Sequence, residues 1–156
     1  MTNTGIVTPS RRQALALGLA AVGAVASSGS IAPAYAKNDA QQQIREFTGG
    51  KRPVLGKVRL DLPEIAENGS AIRMAVSVDS PMTEGAHVTD VLVVADGNSH
   101  AGVSRFRFSP ASGVARVMMF IRLGSKQNVI AVAKMSDGSF YMGRKYVRVA
   151  IGGCCS

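Results

Sequence analysis

The chain has 156 residues, with 18 Lys and Arg against 10 Asp and Glu, a formal net charge of +8, two cysteines and no tryptophan. This length suits one domain with a single hydrophobic core behind a targeting segment. The arginines are spread singly along the predicted strands and no basic cluster with interleaved aromatics is present, which disfavours a nucleic-acid-binding role. The excess charge either attracts small anions and acidic partners or marks only a basic soluble surface.

The first 36 residues predict a signal peptide. Arg11 and Arg12 precede an uncharged apolar run, 14–25, and residues 34–36 (Ala-Tyr-Ala) offer a small-x-small cleavage site before Lys37. The apolar run is too short to span a membrane. The paired arginines favour the twin-arginine route, which exports folded proteins, over an ordinary secretory signal. We therefore expect a periplasmic protein without a membrane segment.

Residues 38–47 predict a short helix, because Asn38 or Asp39 can cap its start and Gly49 and Gly50 can end it. Apolar and polar residues then alternate with the period of two that is typical of β-strands, and turn-forming residues separate the segments. One such turn is predicted at residues 67–70. Seven strands are predicted in this way, at 57–62, 72–78, 88–95, 105–108, 114–123, 128–135 and 140–151.

This series of short strands predicts an all-β fold over residues 37–151, an immunoglobulin-like antiparallel sandwich of two sheets. A small barrel is the competing architecture, which periodicity does not separate from a sandwich. One segment has apolar residues on both faces. Its Met118, Phe120 and Ile121 are expected to face either the core, the default interpretation, or a partner.

The two cysteines, Cys154 and Cys155, follow Gly152 and Gly153 after the last predicted strand. Adjacent cysteines close no loop that would stabilise a fold, and a buried thiol is not expected beyond two glycines. Residues 152–156 therefore predict a flexible C-terminal arm that presents a reactive sulfur, with a reach of at most ~17 Å.

No catalytic constellation accompanies this sulfur in the sequence. His87 and His100 fall in separate predicted loops, and Asp61, Asp90 and Asp137 show no motif spacing. A cysteine enzyme needs a base and an oxyanion site around its nucleophile. We therefore expect a carrier on which other enzymes act, with no cofactor or metal of its own.

Five segments of the chain together resemble SoxY, the family of sulfur-substrate carriers in the bacterial thiosulfate-oxidising system. The resemblance covers nearly the whole region after the signal peptide, and the twin-arginine-like start agrees with it. The segments are 60–69, 78–83, 106–113, 131–138 and 149–154, the last ending in Gly-Gly-Cys.

The resemblance implies a periplasmic immunoglobulin-like sandwich that forms a heterodimer with SoxZ. It further implies three partner enzymes: a haem enzyme that joins thiosulfate to the terminal cysteine, a hydrolase that releases sulfate, and a dehydrogenase that oxidises the remaining sulfane sulfur. By position, Cys154 would be the attachment residue, with Gly152 and Gly153 as the hinge. The family's arm ends Gly-Gly-Cys-Gly-Gly, whereas Cys155 and Ser156 stand here in place of the last two glycines. Cys155 is therefore a secondary thiol that resolves a conjugate on Cys154, forms a disulfide with it, or is incidental.

Two alternatives remain open at this stage. The two thiols and seven methionines could bind Cu(I), a soft ion, in a metal-handling protein of the cell envelope. Against this, Met74, Met119 and Met135 stand at alternating strand positions and are predicted to lie in the core. The second alternative is an interaction module whose cysteines crosslink it to another subunit.

Overall fold

Two β-sheets packed face to face form the fold in the computed structural model, which describes residues 39–151. The predicted signal peptide and the predicted arm lie outside this range. One helix, α1 (Ala40–Thr48), precedes nine strands, and a 3-10 turn, Pro110–Ser112, joins β6 to β7. The strands are β1 (Val54–Leu55), β2 (Val58–Asp61), β3 (Ile65–Asn68), β4 (Ile72–Val78), β5 (Val88–Ala95), β6 (Gly102–Arg107), β7 (Ala115–Ile121), β8 (Gln127–Met135) and β9 (Phe140–Ile151).

The topology is that of a sandwich, as predicted. The larger sheet has the order β1-β9-β8-β5-β6, with β3 also pairing with β9, and the smaller sheet has the order β2-β4-β7. All pairings are antiparallel except those of β1 and β3, which run parallel to β9. The seven predicted strands are all present; the sequence analysis missed only the short β1 and β3.

The main core lies between the two sheets and is formed by the alternate residues of each strand that face inward. Met74 and Val76 of the small sheet are fully buried and share one cluster with Val93, Val129 and other residues of the large sheet. Strand β8 is almost continuously apolar because both of its faces are covered, one by the small sheet and one by α1. The larger sheet is therefore the middle layer over part of its area.

Helix α1 covers part of the outer face of the large sheet. Its Ala40 and Ile44 pack on a second cluster that includes Ile130, Val132 and Phe140. At its end Gly49 takes the left-handed conformation (φ 61°), and the main-chain N–H groups there donate back to the last turn. The predicted helix thus exists one to two residues later than expected.

Asp39 flanks the start of α1 but does not cap it in the predicted way. Its carboxylate makes no capping hydrogen bond; instead it accepts hydrogen bonds from the Gln43 side chain (2.8 Å) and from the main-chain N–H of Ala101 (3.0 Å). These two bonds, the Gln43 bond foremost, lower the pKa of Asp39. The carboxylate therefore ties the helix to the loop between β5 and β6.

The predicted turn at residues 67–70 is only partly correct. Glu67 and Asn68 belong to β3, and the turn itself is confined to Gly69 and Ser70. The side chain of Asn68 accepts a hydrogen bond from the N–H of Ser70 (2.9 Å), which shapes the turn. Pairing with the distant strand β9 makes the preceding residues a strand, and a local turn signal cannot reveal such a pairing.

Candidate functional site at the root of the C-terminal arm

The end of β9 is held by main-chain hydrogen bonds up to its last residue. Ile65 pairs with Arg148, and the N–H of Arg148 donates to the carbonyl of Glu64 (2.9 Å). The carbonyl of Ile151 accepts a hydrogen bond from the N–H of Gly69 (2.8 Å). The fixed backbone thus extends to the residue immediately before Gly152, where the predicted arm begins.

Two loops at the same end of the sandwich are braced by a polar network. The carbonyl of Gly69 accepts a hydrogen bond from the N–H of Leu123 (2.9 Å), which joins the root of the arm to the β7–β8 loop. The side chain of Asn98 donates to the carbonyl of Arg122 (2.9 Å) and accepts from the side chain of Gln127 (2.8 Å). Gln127 is buried, so its satisfied amide stabilises the network.

Alternate side chains of β9 form a row that begins beneath α1 and ends on exposed surface. Phe140 and Met142 of this row pack in the cluster beneath the helix, whereas Arg144, Tyr146 and Arg148 are exposed. Successive residues of a strand alternate between faces, so these five side chains lie on one face of the sheet. Helix α1 covers the beginning of the row and leaves its end, next to the arm, uncovered.

This uncovered end borders a cleft of about 550 Å³ lined by Arg144, Lys145, Tyr146, Arg148 and Glu64. Within residues 39–151, ion pairs occur only around Asp90 on another strand, so neither arginine of the cleft has a carboxylate within 4.0 Å. The exposed Ile65 pairs in register with Arg148 and lies on the same face of the sheet. The cleft has three basic side chains against one carboxylate, so its charge attracts anions.

The structure does not bring the histidines together. The ring of His87 contacts the carbonyl oxygen of Thr83 (3.1 Å), and the carbonyl of His87 accepts a hydrogen bond from the N–H of Ser136. Ser136 follows β8, at the end of the sandwich opposite Ile151. His100 lies in the β5–β6 loop, at the end of the sandwich where β9 finishes. They lie in separate loops, as predicted.

The predicted isolated carboxylates are likewise apart. Asp61 ends β2, Asp90 pairs with Arg105 (3.0 Å), and Asp137 accepts hydrogen bonds from Ser139, which lower its pKa. Across residues 39–151 no group of three His, Cys, Asp or Glu side chains could hold a metal ion. Cys154, Cys155, Gly152 and Gly153 lie outside the range that the structure describes, so their predicted roles remain predictions.

The methionines bear on the copper alternative. Met74 and Met135 are buried and Met119 is half-buried against the core, as predicted, and Met82 is also buried. Core packing therefore accounts for Met74, Met82 and Met135, and in part for Met119. The exposed Met118 places its sulfur 3.4 Å from the Arg73 guanidinium, a cation that disfavours a bound metal ion.

Strand β7 forms an edge of the small sheet, and along residues 39–151 no strand pairs with its outer side. Met118 (56% exposed) and Phe120 (70% exposed) project from its outward face, whereas Ile121 is buried. The core therefore accounts for one of the three apolar residues considered in the sequence. Val114, just before the strand, is also exposed. An open edge with exposed apolar side chains is typical of a protein-binding surface.

Known proteins identify the family. The family described as "Sulfur oxidation protein SoxY" matches residues 44–154, which is well over half of the chain. The chain belongs to the SoxY family. The match extends through Cys154, and it confirms the resemblance seen in the five sequence segments. Membership assigns the chain to a family of sulfur-oxidation carriers. No curated protein matches the sequence.

The fold of this SoxY-family chain recurs in solved structures. The sulfur carrier protein SoxY from Chlorobium limicola f thiosulfatophilum aligns with a TM-score of 0.59 and 23% identity, covering 71% of this chain and 96% of that one. Superoxide reductase (neelaredoxin) from Ignicoccus hospitalis aligns with a TM-score of 0.55 and 15% identity, covering 60% and 80%. At these identities the likeness establishes the immunoglobulin-like sandwich alone. No helix within residues 39–151 is long and apolar enough to cross a membrane.

Proposed function

We propose that this protein is a periplasmic carrier that holds thiosulfate-derived sulfur on Cys154 and presents it to partner enzymes. The observation that carries the proposal is the root of the arm, where the backbone is hydrogen-bonded as far as Ile151 in a chain that the SoxY family matches through residue 154. Gly152 and Gly153 then separate the anchored strand from the thiol. A rigid body with a short hinge and a terminal sulfur suits delivery into active-site clefts.

The chemistry of loading requires a thiolate, and an exposed cysteine titrates near ~8.5. The Cys154 sulfur bonds to the outer sulfur of thiosulfate, and two electrons leave to the haem of a partner enzyme. The product is a cysteine S-thiosulfonate. A hydrolase then adds water across the bond between the sulfane sulfur and the sulfonate, releasing sulfate and two protons and leaving a persulfide. The carrier supplies reach and a soft nucleophile, while the redox chemistry belongs to its partners.

We propose a carrier rather than an enzyme, and the family match supports this. His87 and His100 lie in separate loops, and the carboxylates Asp61, Asp90 and Asp137 are dispersed. Nucleophilic catalysis requires a base within hydrogen-bond reach of the nucleophile. The groups that such catalysis needs would therefore come from the proteins that receive the arm.

Export and pairing complete the proposal. Residues 1–36 direct the folded protein to the periplasm by the twin-arginine route, and a SoxZ-like subunit binds the open edge of β7. Its unpaired main-chain groups can accept another strand, while Met118 and Phe120 supply apolar contacts.

We expect Phe120→Asp to abolish co-purification with that subunit. Val54→Asp, at another exposed apolar residue on β1, should preserve it. Loss with both variants, or with neither, would reject β7 as the docking edge.

The carrier function is tested by exposing the protein to thiosulfate with the complete oxidising system and measuring its mass. We expect a thiosulfonate adduct on the wild-type chain and on Cys155→Ser, and none on Cys154→Ser. Peptide mapping locates the adduct. Cargo that persists on Cys154→Ser and disappears from Cys155→Ser would reverse the assignment, and the absence of any adduct would reject the function.

A further inference from the structure

The edge of the large sheet at β1 carries apolar and basic side chains that the proposed function does not use. Val54 (60% exposed) and Leu55 (68% exposed) form the whole of β1, which is the end strand of this sheet. We call residues 51–57 the edge segment. Its cations, all exposed, are Lys51, Arg52 and Lys57. The segment contains no carboxylate, so it combines two exposed apolar side chains with three positive charges.

The main chain holds both apolar side chains in place. Val54 and Leu55 pair with Tyr141 and Met142 of β9. The N–H of Gly56 donates to the carbonyl of Met142 (3.1 Å). Successive residues of a strand point to opposite faces, so the two side chains lie on either side of β1. The apolar surface is therefore the edge of the sheet itself and not a flat patch on one of its faces.

The cations of the edge segment are not neutralised by contact. Among residues 39–151, ion pairs involve only Asp90, so none of the three cations has a carboxylate within 4.0 Å. Two clefts flank Lys51, and their walls add the cation Lys134 and the carboxylates of Glu46 and Asp137. The segment and these clefts together carry four cations against two carboxylates. Their field therefore favours an anionic surface.

Two of the partners that could meet such an edge fit it poorly. A protein that adds a strand needs a run of main-chain hydrogen bonds, whereas β1 offers two residues and follows Pro53, which has no N–H. A second copy of the chain would bring the same cations against one another. An anionic lipid surface supplies phosphate groups for the cations and, beneath them, an apolar layer for the apolar side chains.

We propose that the edge segment binds the surface of an anionic membrane. Val54 and Leu55 enter the headgroup layer, while the three cations contact lipid phosphates. Binding of this kind lies on the membrane and does not span it. The inference goes beyond the carrier function and does not depend on it, because no cargo, cysteine or partner enzyme takes part.

The position of the edge segment is compatible with a working arm. Leu55 pairs with Met142, nine residues before Ile151, so the lipid surface would lie about 30 Å from the root of the arm. This distance exceeds the Debye length of about 8 Å at physiological ionic strength. A bound carrier would therefore keep its arm free, and anionic lipid would not repel an anionic cargo.

Co-sedimentation with vesicles tests the electrostatic part of the proposal. The chain is used from Lys37 onward, because residues 14–25 are apolar themselves and the described fold lies within residues 39–151. We expect binding to vesicles of phosphatidylcholine with phosphatidylglycerol, and none to phosphatidylcholine alone. A basic residue near an anionic surface raises affinity about fivefold, so Lys51→Gln combined with Arg52→Gln should weaken binding about 25-fold.

The matched control is Arg122→Gln combined with Arg148→Gln. Both arginines are exposed, and they lie at the end of the sandwich where β9 finishes. This pair removes the same net charge at a distance from the edge segment, so it should weaken binding by no more than about twofold. Equal losses from the two pairs, or equal binding to both kinds of vesicle, would overturn the edge segment as a membrane site.

A fluorescent probe tests the apolar part. The chain has no tryptophan, so Leu55→Trp gives a single reporter at an exposed position. We expect its emission to move to shorter wavelength on the anionic vesicles, because the ring enters a less polar layer. Ile151→Trp, at the exposed opposite end of β9, should show no shift. An unchanged Leu55→Trp emission, or equally tight binding to polyglutamate, would indicate an acidic protein partner and overturn the membrane site.

Discussion

The two halves of β9 share an alternating sequence pattern but differ in the strands they pair with and in the exposure of their side chains. From Phe140 to Val147 the strand pairs with β8, contacts β1, and lies between the small sheet and α1. From Arg148 to Ile151 it pairs only with the short β3, and most of its side chains are exposed. One strand thus passes from the centre of the domain to its surface without a break. The difference teaches that the end of a strand can be held by main-chain hydrogen bonds without being buried.

The reason for the change lies in neighbouring strands. Strand β8 begins at Gln127, opposite Val147, and the chain before it turns into the β7–β8 loop. Beyond that point β9 would be a lone extended segment, and unpaired main-chain groups favour fraying. The parallel pairing with β3 supplies the missing hydrogen bonds. We therefore expect the first half to determine the stability of the domain and the second half to determine the order of the arm's root.

The largest expected effect comes from filling the space at Gly143 in the first half. A methyl group at Gly143 would overlap the main-chain carbonyl of Val58, where β2 crosses β9, and neither backbone can move freely. We expect Gly143→Ala to lower the free energy of unfolding by about 3 kcal/mol in urea denaturation. Gly85→Ala is the control, because a methyl there meets open space. It should change stability by less than about 1 kcal/mol; equal losses would refute this account of the crossing.

A second prediction compares the two halves directly by truncating one apolar side chain in each. Val147 is fully buried, whereas Ile151 is 71% exposed. We expect Val147→Ala to cost about 2 kcal/mol, because it removes two buried methyl groups and leaves a cavity. Ile151→Ala should change the free energy of unfolding by no more than about 0.5 kcal/mol. A comparable loss from both would mean that the end of β9 belongs to the cooperative core.

A third prediction loosens only the second half. Asn68→Ala removes the side-chain hydrogen bond to Ser70 that holds the turn after β3. A bond of this kind contributes about 1 kcal/mol, so amides from Arg148 to Ile151 should exchange with solvent roughly fivefold faster. The matched control is Asp137→Ala, which removes the equivalent bond to Ser139 at the opposite end of β9. Faster exchange at 148–151 in the control as well would show that the two halves are not independent.

The sequence predicted the first half of β9 well and its second half only in part. Alternation placed the strand at 140–151 and its continuation into Gly152, because that signal is local. It did not reveal β3, since residues 65–68 include Glu67 and Asn68, which are uncommon in strands, and they become a strand only by pairing with a distant segment. The same alternation puts Arg144, Tyr146 and Arg148 on one face, but which part of that face α1 covers depends on tertiary packing.

The smallest expected effect concerns α1, which covers only the first half of β9. The lowered pKa of Asp39 means that its ionised form is favoured in the folded state, through its bonds to Gln43 and Ala101. The stability that it contributes is therefore present above the unfolded pKa of 3.8 and is lost as pH falls through the lower folded pKa.

We expect Asp39→Ala to lower the melting temperature slightly at about pH 6 and not at about pH 2, measured by circular dichroism. Asp61→Ala, an exposed carboxylate without these partners, should leave the melting temperature unchanged at both pH values. An Asp39→Ala deficit that persists undiminished in acid would show that packing, and not the ionised carboxylate, holds α1 over the first half of β9.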